Sequence, residues 1–369
     1  MIQTQGELEQ ICEHVITMPW VAVDTEFERV STYYPRLCLV QVGTPQLTVC
    51  IDPTADIDFS VFGDVLSNCS VLKIFHAARQ DLEVLGIVLS QKVSHIFDTQ
   101  IAAQFCGYGD QVAYGALVKK LCGITLGKAY TRTQWCRRPL SDNEIKYALD
   151  DARYLGPLYY QLRERLELLG REEWVYEDCQ ELAKRNIVEV SAEAAISKLC
   201  SRASRLSPTA QSIIANLAIW RESEAQRLDK PREWIISAVD LLQIAVEQPR
   251  DLAGLCAIDG ISKRRSQKWR EPILKAIESG LQLEHHQTFA EAKDSLTAGY
   301  KKRESILWSC LKECSIAYDM SIGAIGTRED IRKLSQGMTN TRLLEGWRRR
   351  LVGTTLQALS ERHGAKFKP

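Results

Sequence analysis

Every strand signal in this chain of 369 residues falls before residue 100, and that asymmetry limits the folds open to it. Three short apolar runs, Trp20–Asp24, Leu37–Val42 and Leu47–Ile51, are separated by Tyr-Pro and Gly-Thr-Pro breaks, which predicts an antiparallel meander. Further strands are predicted at Val71–Phe75 and His95–Asp98, alternating with helices near Phe59–Leu66 and Gln80–Leu85. From Thr99 to about Leu169 the pattern is helical, broken by Gly107–Gly109, Gly123–Gly127 and Arg138-Pro139. Ser141-Asp-Asn-Glu144 reads as a capping box, opening a helix expected to run through Tyr147, Asp151 and Leu162 to Gly170. Strands first, with helices packed around them, indicate an α/β layer architecture with a mixed sheet. From about Glu172 onward the strand signals vanish: Glu189–Ser204 reads as one more helix or a linker, and a set of short helices begins with Pro208 in a first turn. A chain of this length exceeds one ordinary core, so two or three domains are expected.

The net charge is zero, but its distribution is uneven. Residues 1–200 carry 19 basic and 27 acidic side chains, whereas 301–369 carry 14 and 7. An acidic front suits a half that gathers cations, and a basic rear suits one that gathers phosphates, although solvated surface explains such asymmetry equally well. The 12 cysteines are scattered without any C-x-x-C pair, so they are expected to be buried free thiols in a reducing compartment. Cys310 and Cys314 lie one helical turn apart, with no histidine near enough to complete a zinc set. The opening MIQTQGELEQ has neither a basic nor an apolar leader region, and no stretch is long and apolar enough for a membrane span. The expectation is a cytoplasmic protein with no membrane association.

Three short motifs place acidic groups where this architecture lets them meet. In Val23-Asp24-Thr25-Glu26-Phe27, an extended strand points Asp24 and Glu26 to one face and Thr25 to the other. Acidic pairs two apart also occur at Glu7/Glu9, Asp56/Asp58 and Glu222/Glu224, but only the Asp24 pair follows an apolar strand. Two carboxylates there are costly unless something positive lies between them. In His76-Ala-Ala-Arg79-Gln80-Asp81, a strand ends and a helix begins, so Asp81 can face the same strand end; favourable interaction with the helix dipole is the plainer explanation for it alone. In Tyr147-Ala-Leu-Asp150-Asp151, Tyr147 and Asp151 share a helix face, while Asp150 is turned about 100° away. Four converging carboxylates suit hard cations such as Mg²⁺ or Mn²⁺ rather than zinc. Two such ions about 4 Å apart can drive an in-line displacement at a phosphodiester. Tyr147, with an ordinary phenol pKa near 10, is then suited to orienting water, not to deprotonating it.

Taken together, Asp24-x-Glu26, Asp81 after His76, and Tyr147-x-x-x-Asp151 resemble the three exonuclease motifs of the DEDD superfamily, in its tyrosine-containing branch. Ala22–Phe27, Thr32-Tyr-Tyr-Pro35, Ile51-Asp-Pro53, His76–Leu85, Phe97-Asp-Thr-Gln100, Arg132-Thr-x-Trp135 and Arg138-Pro-Leu140 narrow the resemblance to bacterial ribonuclease D. It covers about the first 170 residues densely. The resemblance implies an RNase H-like exonuclease domain over residues 1–190 that hydrolyses RNA from the 3′ end and releases 5′-mononucleotides. It also implies two bound Mg²⁺ or Mn²⁺ ions, with Asp24, Glu26, Asp81 and Asp151 as ligands and Tyr147 beside them. Phe27, Gln41 and His76 are candidates for contacting substrate, Gln41 and His76 equally for supporting the carboxylates or, for His76, the fold. Asp98 before Thr99 is read as a helix cap.

Residues 207–287 resemble an HRDC domain, through Trp220-Arg221-Glu222 with Ala225, Pro231, Ile235-Ile-Ser237, Leu241 and Gly260–Arg265. Residues 290–369 look like a second, divergent copy. Lys263, Arg264 and Arg265 near Trp269, and Arg348–Arg350 after Trp347, are candidate phosphate contacts, with both tryptophans expected in cores. The partners the resemblance implies are RNA, particularly tRNA precursors and other structured RNA 3′ ends, with no obligate protein partner. The alternatives are an inactive, nucleic-acid-binding member of the superfamily, against which all five catalytic positions stand, and a DNA exonuclease, which the residues do not separate from an RNA-directed one.

Overall fold

A computed structural model of the chain describes residues 1–127, 129–130, 133–184, 187–258, 263–282 and 298–364. Two compact units emerge, one of Met1–Glu28, Leu37–Arg185 and Thr297–Pro369, the other of Arg29–Arg36 and Asn186–Leu296.

The first unit is built on a five-stranded sheet of order β3-β2-β1-β4-β5. Its strands are β1 (Trp20–Glu28), β2 (Arg36–Gly43), β3 (Thr48–Ile51), β4 (Leu72–Phe75) and β5 (Ile96–Asp98). β2 and β3 pair antiparallel, whereas β4 is parallel to both β1 and β5, so the sheet is mixed as expected. The apolar runs that predicted the strands are buried: Val21, Ala22, Val23, Leu39, Val40, Ile51 and Ile74 have no exposed surface. Helices α2 (Ser60–Ser67), α3 (Arg79–Leu89), α4 (Thr99–Phe105), α5 (Tyr114–Cys122), α6 (Asp142–Arg153), α7 (Leu155–Leu169) and α8 (Glu172–Lys184) follow.

Two local departures from the sequence reading have clear causes. A helix α1 (Gln5–Ile16) precedes the sheet, capped by Thr4 and Glu7 in a reciprocal box and burying Leu8, Ile11, Cys12 and Val15. The predicted single helix from Ser141 to Gly170 is two helices, broken at Tyr154. Pro157 has no N–H for the Arg153 carbonyl four residues back, so the ladder is interrupted there. The break also seats Gly156 against Trp20, whose ring leaves no room for a Cβ at that position.

In the same unit, helices α15 (Ala298–Ala317), α16 (Ile322–Ile325), α17 (Arg328–Ser335), α18 (Gly346–Arg348) and α19 (Thr354–Gly364) follow; α15, α17 and α19 pack on one another, while α16 meets α4 and α18 meets α8. Trp347 is 1% exposed and stacks on Trp174 at 4.8 Å between ring centroids. Arg348 forms a two-pronged ion pair with Asp178, both contacts at 2.6 Å, and donates to the carbonyls of Ala324 and Ile325. The second unit is all-helical, comprising α9 (Ile187–Arg202), α10 (Pro208–Leu228), α11 (Arg232–Ile235), α12 (Ala238–Glu247), α13 (Leu252–Ala257) and α14 (Lys263–Gln282). Its core gathers Ile213, Leu217, Leu241, Ile244, Ile273 and Trp269, and takes in Tyr33 from the Arg29–Arg36 segment. Pro272 inside α14 accounts for the kink at Trp269 one turn earlier.

Among the described residues no helix is long and apolar enough to cross a membrane. One expectation about cysteine is corrected. Cys38 and Cys136 form a disulfide with Cα atoms 4.7 Å apart, and the other ten cysteines are free. The pairing follows from Arg138, which binds Asp52 through both carboxylate oxygens and the Cys38 carbonyl, drawing the Trp135–Leu140 segment onto β2 and β3.

Candidate active site

The open end of β1 carries the carboxylates. β4 pairs with β1 only as far as Ala22, opposite Ile74, so Asp24 and Glu26 project beyond the paired region. The chain leaving β4 turns sharply at Ala77, whose φ of +59° is unusual for a residue with a Cβ. Asp98 makes that turn possible. Its carboxylate accepts from the N–H groups of Ala77 at 3.1 Å and Ala78 at 2.8 Å. It also accepts from Gln100 at 2.7 Å and Ile101 at 3.2 Å, capping α4. One buried side chain therefore fixes the start of α3, and with it Asp81 two residues into that helix. Thr25 completes the placement by donating its hydroxyl to Asp81 at 2.5 Å. From the third motif, α6 packs against β1 and β3 and carries Tyr147 and Asp151 inward.

These groups feel one another. Burial, then the neighbouring Asp81, pushes Asp24 well above the ordinary carboxylate range. Burial, then Asp24, Asp151 and Asp81, pushes Glu26 up to about 9. Burial raises Asp81 to about 7 even though the Thr25 hydroxyl opposes the shift. Burial, then Asp24 and Asp150, raises Asp151 to about 8. Among the described residues no lysine or arginine forms an ion pair with any of the four. Such a set is stable in its charged form only around cations, and all-oxygen donors fit hard divalent ions. Asp24, Glu26 and Asp151 keep partial exposure, so the cluster is open to solvent. By contrast, the tighter group of Glu28, Cys38 and Cys136 has its two sulfurs tied in the disulfide, which leaves no thiolate to bind a metal. Tyr147 lies against Trp135 and Tyr130, at centroid distances of 6.3 and 5.8 Å. Burial, then Asp151, Glu26 and Asp24, pushes its phenol up to about 12, so it keeps its proton at neutral pH.

The remaining candidates are placed differently. Phe27 is half-buried at the end of β1. Gln41 is fully buried on β2. His76 has Nδ1 2.9 Å from the Thr99 hydroxyl and Nε2 2.9 Å from the Val112 carbonyl, so neither ring nitrogen is left for substrate. Burial lowers its pKa, and the neutral ring donates from Nε2 to Val112, joining the end of β4 to α4 and the loop before α5. Asp150 pairs with Arg153 at 2.7 Å, away from the cluster as its helical position requires. Lys263, Arg264 and Arg265 open α14, but their side chains lie outside the described residues. Trp269 is in the core as expected, donating to Glu224 at 3.2 Å. Arg348 is not a free phosphate contact, because its guanidinium is buried against Asp178. Arg350 faces Glu177 at 3.0 Å and Glu173 at 3.4 Å. Sequence reasoning missed Thr25 and the double role of Asp98. The alternation rule turned Thr25 away from the site, and nothing local announces that α3 begins within reach of it.

Comparison with known proteins matches this arrangement. A 3′–5′ exonuclease family model covers residues 1–167, and an HRDC domain model covers 210–277. The ribonuclease D of Nitrobacter hamburgensis is 33% identical over 99% of this chain and 95% of its own. That of Acidiphilium cryptum is 34% identical over 96% and 91%. The crystal structure of Escherichia coli RNase D, an exoribonuclease involved in structured RNA processing, superposes with a TM-score of 0.88. It is 28% identical, with 98% of each chain covered. The catalytic core of RRP6 from Trypanosoma brucei shares the fold, with a TM-score of 0.56 at 20% identity over 76% of this chain and 79% of that one. With its sheet, its carboxylate-bearing motifs and its whole length matched in this way, the chain belongs to the ribonuclease D family and is a hydrolytic 3′–5′ exoribonuclease that depends on divalent metal.

Proposed function

We propose that this enzyme trims the 3′ ends of structured RNA, tRNA precursors in particular, in the cytoplasm, with two Mg²⁺ or Mn²⁺ ions held by Asp24, Glu26, Asp81 and Asp151. The observation that carries this reading is the convergence of four desolvated carboxylates from β1, α3 and α6 with no described cation among them. When bound, the ions would activate a water for in-line attack on the terminal phosphodiester and stabilise the departing 3′ oxygen. The protein's part is positional. Thr25 and the Asp98-held turn fix Asp81, and α6 delivers Tyr147 and Asp151 on one face. Tyr147, protonated and braced by Trp135, donates a hydrogen bond that orients the attacking water or the scissile phosphate. Phe27, next to Glu26, stacks on the terminal base, and the basic run of Lys263, Arg264 and Arg265 contacts phosphates, a reading supported by their sequence alone.

The test is release of 5′-mononucleotides from a 3′-extended tRNA-like RNA with Mg²⁺ or Mn²⁺, beside a DNA strand of the same sequence. Metal-dependent shortening of the RNA that vanishes in Asp24→Asn is expected. An Asp24→Asn enzyme that still shortens RNA would remove these carboxylates from the chemistry. Preferential shortening of the DNA would overturn the substrate assignment.

A further inference from the structure

Gln41 stands in the middle of β2 with no exposed surface, and neither its amide nitrogen nor its amide oxygen is hydrogen bonded. A buried, unpartnered primary amide is costly, so its retention in an apolar strand asks for a partner.

Its surroundings show where that partner lies. Across the β2–β3 pair Gln41 faces Cys50, so the two side chains share one side of the sheet. Cys50 is near enough to the cluster that Asp151, after burial, helps to push its thiol up. Gly43 is two residues along β2 and on the same side. A Cβ there would sit 3.3 Å from Cβ of Ala22 and 3.2 Å from the carbonyl oxygen of Ala152. Only residues 29–35 join β1 to β2, too few for a parallel crossover, so these neighbouring strands run antiparallel. Gly43 beside Ala22 then places Gln41 beside Asp24. The amide thus lies on the sheet face beneath α6, flanked by Asp24 on β1 and by Cys50 on β3.

We propose that Gln41 is a positioning residue of the active site: when metal is bound, its Nε2–H group, unpartnered in the metal-free fold, donates to the Asp24 carboxylate and holds it in the orientation that ligates the ion. This inference rests on the assignment of the four carboxylates as metal ligands. A hydrogen bond of this kind orients a ligand without touching the ion, and losing such a support weakens metal affinity by about ten- to a hundredfold.

The test uses the full-length protein, Mn²⁺ alone as the probe, and three forms: wild type, Asp24→Asn and Gln41→Met. Free Mn²⁺ is followed by electron paramagnetic resonance, and melting temperature is recorded with and without the ion. Wild type is expected to bind Mn²⁺ and gain stability from it, and Asp24→Asn to lose both effects. Gln41→Met should melt at or above the wild-type temperature without metal, because an unpartnered amide has become a thioether of similar length. Its Mn²⁺ affinity should nevertheless fall about ten- to a hundredfold, with kcat reduced and KM for RNA held. If wild type does not bind, or Asp24→Asn binds as wild type does, the carboxylate assignment itself fails. If those two behave as expected while Gln41→Met binds Mn²⁺ like wild type, only the role of Gln41 is overturned. A Gln41→Met protein that melts early and binds normally has the same meaning, since the amide is then merely structural. Should that variant not fold, Gln41→Asn, with its amide drawn back by one methylene, is read against the same outcomes.

Discussion

Replacing Arg348 by alanine should loosen the C-terminal helices from α8 without changing how RNA phosphates are bound. Arg348 and Asp178 keep only 6% and 16% of their side-chain surface exposed. Removing one partner of a pair buried to this degree leaves a desolvated charge and costs about 3–5 kcal/mol. The Trp347 Nε1–H group still donates to Asp178 at 3.0 Å and recovers about 1 kcal/mol of that loss. A net cost near 3 kcal/mol corresponds to a rise of roughly a hundredfold in local opening. Hydrogen exchange followed by mass spectrometry measures it segment by segment, which suits a chain with two compact units better than one global melting curve. Amides in residues 172–184 and 322–353 should exchange about a hundredfold faster in Arg348→Ala, while those of β1 and β2 change little. Asp178→Ala should cost less, because the Ala324 and Ile325 carbonyls still receive the guanidinium. The double mutant should therefore be less damaged than the sum of the two single changes. The slope of RNA affinity against salt should remain as in wild type, since a lost phosphate contact would reduce it by roughly 0.9. Wild-type exchange rates combined with a reduced salt slope would refute this account and return Arg348 to the RNA-binding surface.

Three further outcomes are expected. Metal binding at pH 7 should release protons. Folded-state values of about 7 for Asp81, 8 for Asp151 and 9 for Glu26 leave the metal-free cluster largely protonated there, and ligation requires the carboxylates. The same raised values mean that the metal-free fold binds protons more tightly than the unfolded chain, so the cluster's contribution is fully present below pH 4 and is lost as pH rises through 7 to 9. Calorimetry in two buffers of different ionisation enthalpy reports the release, and a buffer-independent enthalpy would contradict it. Tyr147→Phe should lower kcat about a hundredfold or more while leaving the Mn²⁺-dependent gain in melting temperature intact; loss of both would make Tyr147 a structural residue. Alkylation of the denatured, unreduced protein should label ten of the twelve cysteines, and twelve labels would show that Cys38 and Cys136 are not joined.

What could be read from the sequence and what could not divide along one physical line. Periodicity and capping are local, and they located the strands, the Ser141–Glu144 box and the alternation that sets Asp24 beside Glu26. The same signals are present at Thr4–Glu7, where a reciprocal capping box opens the amphipathic helix α1. Partner choice between distant segments has no local signature. The Arg348 side chain, from a basic run that resembled a phosphate grip, is consumed by an acid 170 positions earlier. Tyr33, part of a motif assigned to the catalytic half, lies in the core of the helical unit and is covered by the Arg232 guanidinium at 4.8 Å. His76 illustrates a third case: a polar residue beside a catalytic motif reads as chemistry until both its nitrogens are seen to be engaged. The candidate carboxylates were open to the same ambiguity one by one, and Asp81 alone reads as a favourable helix-dipole contact. What made them legible is their occurrence together and in order, as several costly acidic groups with no counter-charge among them. Gln41 is of the same kind, a polar group buried in an apolar strand whose cost the metal-free fold leaves uncompensated.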